Sequence, residues 1–237
     1  MTGISDWGRS LRSTYENPST WPPYDPSVKA DIYRFASLWL TEGIPFVFRD
    51  YPMLFAYSRQ RLGDILETDP KNISLTGSAR LGFSMNPRKF GVPWASKNSD
   101  LDLFVVSNLW FNYLVSDFQL FASRYSAGLE QPYNTNEGVY FSQNVNETPD
   151  TIRRGFIDQK RIPNRKRYER AVALARAADQ LSRIINREMP PDCAIRKVSI
   201  RVYSEWPRVI SQIGGSLIMA IKEFHSQPPA HAGSVDP

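Results

Sequence analysis

Residues 72–82, NISLTGSARLG, and residues 99–106, SDLDLFVV, decide the reading of this chain. Asn72 to Thr76 alternates polar and apolar side chains, as a half-buried strand does. It runs into Gly77-Ser78, where the missing Cβ of Gly77 lets backbone approach a ligand closely. Asp100 to Val106 reads as a second strand, polar at its start and apolar at its end. Side chains alternate across a strand, so Asp100 and Asp102 project on one face. Two neighbouring carboxylates repel, and a divalent cation relieves that repulsion. Mg²⁺ takes oxygen ligands and commonly rests on one or two carboxylates plus substrate phosphates. The Asp-x-Asp pair therefore reads as a seat for Mg²⁺, or Mn²⁺, on a triphosphate. Ser78 and the N–H groups after it are placed for phosphate oxygens, with Arg80 adding charge and Ser99 preceding the acids.

Outward from this pair, strands alternate with helical stretches, which predicts an α/β (α+β) domain with a mixed sheet flanked by helices. Residues 1–24 read as an irregular arm, residues 25–225 as one domain with its core in 72–203, and residues 226–237 as a disordered tail. Asp25-Pro26 is a helix start, and Gly43 and Pro45 end that helix. A second helix spans Tyr51 to Leu66, with Pro52 in its first turn. Further helices are expected over Trp110 to Tyr125, over Tyr168 to Arg187, and from Pro207 to Phe224. Ile195 to Tyr203 alternates as a strand. Residues 130–150 read as loop, with missing strands sought in 79–99 and 137–147.

Composition narrows the chemistry. The 237 residues carry 29 Lys+Arg against 24 Asp+Glu, a net charge of +5, with 41% hydrophobic residues, enough for a real core. One cysteine and two histidines supply neither an internal disulfide nor a Cys/His zinc site. No apolar run approaches a membrane span, and the first residues lack the apolar stretch of a secretory signal, so a cytoplasmic protein is expected.

The two motifs, in this order, resemble the DNA polymerase β-like nucleotidyltransferase superfamily. The resemblance covers roughly residues 72–106, with a weaker third element near 196–202. It implies that Asp100 and Asp102 are catalytic metal ligands and that Gly77, Ser78, Arg80 and Ser99 bind the nucleotide. The implied activity is Mg-dependent transfer of a nucleoside monophosphate to an acceptor hydroxyl on RNA, protein or a second nucleotide, in roles that include bacterial toxin–antitoxin and defence systems. This chain departs from the pattern twice. Twenty-one residues separate Ser78 from Asp100, longer than is common, so residues 84–97 read as an insertion whose Arg88, Lys89, Phe90 and Trp94 form either a substrate cover or a surface flap. Ser199 stands where the family places a third carboxylate. Glu205 shares its parity but lies six residues on, roughly 20 Å along a strand; Asp117, Asp158 and Asp192 stay open. The departure motivates an alternative: a degenerate fold that binds nucleotide or nucleic acid without turnover.

Residues 153–170, RRGFIDQKRIPNRKRYER, hold eight basic and two acidic residues, a net +6 that exceeds the charge of the whole chain. Arg153, Arg154, Lys160, Arg161, Arg165, Lys166 and Arg167 are candidate contacts to a phosphate backbone or triphosphate. The competing reading is a solvated loop and helix start.

Overall fold

The computed structural model describes residues 3–11, 13, 17, 20–95 and 99–226. Four strands form one mixed sheet: β1 (Ile73–Thr76), β2 (Asp100–Val106), β3 (Phe156–Asp158) and β4 (Lys197–Tyr203). Their order is β1-β2-β4-β3. β2 and β4 run parallel in the centre, and both edge strands are antiparallel to their neighbours. The helices described are α1 (Asp6–Ser10), α2 (Lys29–Thr41), α3 (Pro52–Leu66), α4 (Gly77–Leu81), α5 (Asn108–Ser126), α6 (Thr135–Arg153), α7 (Glu169–Glu188) and α8 (Trp206–Ser226). The α+β architecture expected from the sequence is what is found. Among the described residues no helix is long and apolar enough to cross a membrane.

The alternation of the central strands sorts the core into two layers. Leu101, Leu103 and Val105 of β2 and Val198, Ile200 and Val202 of β4 face α3, α5 and α7, meeting Leu62, Leu114, Phe121 and Leu174. On the opposite face Phe104, Val106 and Tyr203 pack with Phe156, Leu40 of α2 and Val209 of α8. The apolar ends of β2 and β4 are thus sealed on both sides, whereas at their polar starts Asp102 and Lys197 are exposed.

Local signals explain most boundaries. The Asp25 side chain caps a 3₁₀ turn at Pro26–Val28 that leads into α2. Pro52 occupies the first turn of α3, where its missing N–H costs nothing. Asp69 caps the turn that precedes β1.

Three expectations are corrected. Most of 130–150 is helix, not loop: Asn134 caps α6 by accepting from the Glu137 N–H, and the Glu137 carboxylate accepts from the Tyr133 N–H. No strand lies in 137–147; the fourth strand is the three-residue β3, inside the basic segment. In the described part of 79–99 the strand-like pairing is an isolated bridge between Phe83 and Pro93, residues 79–81 ending α4, and residues 96–98 lie outside the described residues. The arm is also more than irregular chain. It carries α1, and Trp21 is buried, stacked on Trp39 at 6.0 Å. The tail 227–237 lies outside the described residues.

The candidate nucleotide site at the polar end of the sheet

The register brings one row of polar residues side by side across three strands. Thr76 pairs with Asp102, and Asp102 pairs with Ser199. Ser199 Oγ donates to Asp102 Oδ1 at 2.7 Å. The other carboxylate oxygen of Asp102 points to the β1–α4 turn. Gly77 has φ +70°, and a Cβ built there would lie 3.3 Å from Asp102 Oδ2. Glycine therefore serves both the left-handed backbone and the open space beside the carboxylate. Oδ2 accepts no hydrogen bond from any described residue. The Ser78 hydroxyl is half-buried at the same turn and is likewise unused. The two motifs that the sequence places 21 residues apart do meet.

Asp100 is in a different state. Arg196 clasps it with two hydrogen bonds, Nε to Oδ1 at 2.8 Å and Nη2 to Oδ2 at 2.9 Å, and Lys197 Nζ stands 3.7 Å away. The Arg196 hydrogen bonds hold its carboxyl below the usual carboxylate range against a smaller opposing effect of burial, and Lys197 adds to the lowering. The pairing follows from the parallel register, which sets Lys197 directly opposite Asp100.

Other expected contributors are elsewhere. Arg80 is buried and turned away from the acids, its guanidinium donating to the carbonyls of Trp39, Glu42 and Gly43 at the end of α2. The Ser99 hydroxyl donates to the Ala95 carbonyl and so ties down the insertion. Of that insertion, Phe90 is buried against Phe224 of α8, 5.2 Å between ring centres, and Trp94 packs on the main core. The insertion is a flap anchored by its aromatics. α4 has only five residues, too short for a substantial helix dipole.

None of the acids left open takes the third place. Asp158 is clasped by Arg201 at 2.8 and 3.0 Å. Asp117 accepts the Ala171 N–H at the start of α7, and burial raises its carboxyl above the usual range. Glu205 pairs with Arg208. The Asp192 side chain lies outside the described atoms. Among the described residues no cluster of three or more His, Cys, Asp or Glu is arranged to hold a metal. The donors present would suit at most one Mg²⁺: Asp102 has an open oxygen, while both oxygens of Asp100 are taken by Arg196. They do not fit a second ion, because Ser199 brings no charge to the row.

The basic segment is not a continuous positive track. Arg165 pairs with Glu130 and Glu137, Arg167 approaches Glu130 at 3.6 Å, Arg161 pairs with Glu147, and Arg153 pairs with Asp150. Glu130 is buried, which alone would raise its carboxyl. Hydrogen bonds from Tyr168, Arg165 and Arg124 outweigh burial and hold it below the usual range. Lys160, Lys166 and Arg154 have no acidic partner among the described residues. Sequence reasoning missed Arg196 and Lys197 as partners of Asp100; their place just before the Ser199 strand was the available signal.

Comparison with protein-family models, with curated proteins and with solved structures gives no match.

Proposed function

We propose that this chain is a nucleotidyltransferase-like protein that binds a nucleoside triphosphate with one Mg²⁺ (or Mn²⁺) at Asp100 and Asp102 and does not turn it over. The carrying observation is the row Thr76–Asp102–Ser199, with Gly77 against the open oxygen of Asp102 and a serine in the third place. Gly77 and Ser78 lie against the phosphates. Arg196 and Lys197 exchange Asp100 for phosphate oxygens when nucleotide arrives. That exchange is easy, because Arg196 is 60% exposed and a solvent-screened ion pair contributes little. The bound ion supplies charge neutralisation on the phosphates. With the open oxygen of Asp102 given to the ion and a serine at position 199, the row keeps no free carboxylate to accept the proton of an attacking hydroxyl.

Transfer of a nucleoside monophosphate to RNA, a protein or a nucleotide is the second reading. What favours it is that Asp100 and Asp102 share one face, with an oxygen of Asp102 open. One experiment separates the two. Each nucleoside triphosphate is titrated calorimetrically with Mg²⁺, and each α-labelled triphosphate is then incubated with total RNA, for the wild type and the Asp100→Asn/Asp102→Asn variant. Mg-dependent binding lost in the variant, with no label transferred, supports the proposal. Label transferred by the wild type alone replaces it with the second reading, and no binding removes both.

A further inference from the structure

A cleft of about 750 Å³ lies at the other end of the same sheet face. It opens between the end of α6, the start of β3, one side of α8 and the loop bearing Met85. Phe156, on its floor, pairs with Tyr203 at the end of β4, whereas the candidate nucleotide site sits beside Ser199 near the beginning of that strand. Four residues of strand, roughly 13 Å, separate them. None of the lining residues belongs to the Asp100/Asp102 site.

The lining is cationic. Arg153, Arg154 and Arg208 stand on its wall, and among the described residues no Asp or Glu lines it. Among the described residues Arg153 and Arg208 pair with Asp150 and Glu205, three residues away along the chain, and all four side chains are more than half exposed. Such pairs exchange readily for a better anion. Arg154 lies over the Phe156 ring at 5.1 Å. Gly155, with φ +84°, brings these arginines together: a Cβ there would meet Arg208 Cγ at 2.7 Å and Ser204 Oγ at 2.9 Å.

The wall is also held in place from beneath. Asp158 clasps Arg201, and Arg201 packs on the Phe156 ring at 4.9 Å. Arg201 Nη1 donates to Gln212 Oε1 at 3.3 Å, and the Tyr203 hydroxyl donates to the same oxygen. The Gln212 carbonyl is thereby used on the protein side, which leaves its amide N–H groups for a ligand. Ser211 and Ser216 add hydroxyls, while Met85, Met219 and Ala220 give an apolar side.

We infer that this cleft binds a small phosphorylated molecule with an aromatic ring, of the nucleotide class, without a divalent ion. Guanidinium forks match phosphate oxygens two at a time, and Met219, well exposed on the cleft wall, accepts the ring together with Met85. The volume suits one small ligand. The inference does not depend on the function proposed for Asp100 and Asp102.

The test is calorimetric titration of the full chain with ADP in EDTA, with inorganic phosphate and a short single-stranded RNA as comparison probes. Saturable one-to-one binding of ADP is expected, tighter than phosphate. It is retained in Asp100→Asn/Asp102→Asn and weakened at least about tenfold in Arg154→Gln/Arg208→Gln, as loss of charge-assisted hydrogen bonds requires. Hydrogen exchange on the wild type keeps the test independent of that variant's folding, since ADP must protect the 208–220 stretch. Absence of ADP binding, protection elsewhere only, equal affinity in a folded Arg154→Gln/Arg208→Gln variant, or binding of RNA alone would overturn the inference.

Discussion

Replacing Glu130 by glutamine should unfold a large share of this protein's stability margin. Glu130 is 2% exposed and receives hydrogen bonds from Arg165, Arg124 and Tyr168. Hydrogen bonds to a charged group each contribute about 1.5–3 kcal/mol, offset by desolvation of the partners. Removing one side of a buried pair costs about 3–5 kcal/mol, because the other charge is left uncompensated. Arg165 is 13% exposed on its side chain, and Glu137 partly compensates it, so the lower half of that range is expected. Total stabilities are about 5–15 kcal/mol, so the midpoint of urea unfolding, followed by circular dichroism, should fall markedly. The double variant Glu130→Gln/Arg165→Gln should cost less than the sum of the two single changes. The pH dependence has a definite sign. The Glu130 carboxyl is held below its ordinary value of 4.5, so its stabilisation is complete above that pH and is lost as pH falls through the lower folded-state value. A loss below about 1 kcal/mol for Glu130→Gln, the size of a surface pair, would refute the assignment of the basic segment to internal pairing.

Three further outcomes follow from the same geometry. Arg80→Met should destabilise by about 2–4 kcal/mol, since three carbonyls at the end of α2 lose a charged donor, while nucleotide affinity of the folded fraction stays unchanged; denaturation and calorimetry read the two separately. Gly77→Ala should cost about 1–2 kcal/mol for its left-handed backbone and weaken Mg-dependent nucleotide binding, because the new methyl crowds Asp102 Oδ2. Ser199→Asp should lower the melting temperature without divalent ions, by repulsion from Asp102, and show a larger Mg²⁺-dependent rise than the wild type, as a thermal scan with and without Mg²⁺ would reveal.

Much of the frame was legible because its signals are local. Alternation marked β1 and β4, a polar start with an apolar end marked β2, and Asp-Pro and Tyr-Pro pairs marked helix starts. What was not legible depends on partners distant in sequence. α6 hid because its buried face mixes Phe141 with Asn144, Thr148 and Thr151, which weakens the apolar period. β3 has three residues inside a charged run, below the length at which alternation registers. The arginines of 153–170 looked like a phosphate track because their acids, Glu130, Glu137 and Glu147, precede them by 14 to 35 residues. In the candidate site, strand parity placed Asp100 and Asp102 on one face, and the family resemblance pointed to Ser199 at the third-acid position. Parity did not reveal that Arg196 closes on Asp100, which only the parallel register of β2 and β4 creates. Nor did it show that Arg80 faces inward, which the position of α2 decides.

In the proposed function, Asp100 and Asp102 seat a nucleoside triphosphate with one Mg²⁺ without turnover. The direct measurement is calorimetric titration of ATP, GTP, CTP and UTP into the wild type and Asp100→Asn/Asp102→Asn, with Mg²⁺ and with EDTA, followed by chromatography of the nucleotide after incubation. The account predicts Mg-dependent binding in the wild type, its loss in the variant, and nucleotide recovered intact. Binding that is equal in the variant, or pyrophosphate released by the wild type and not by the variant, would contradict it.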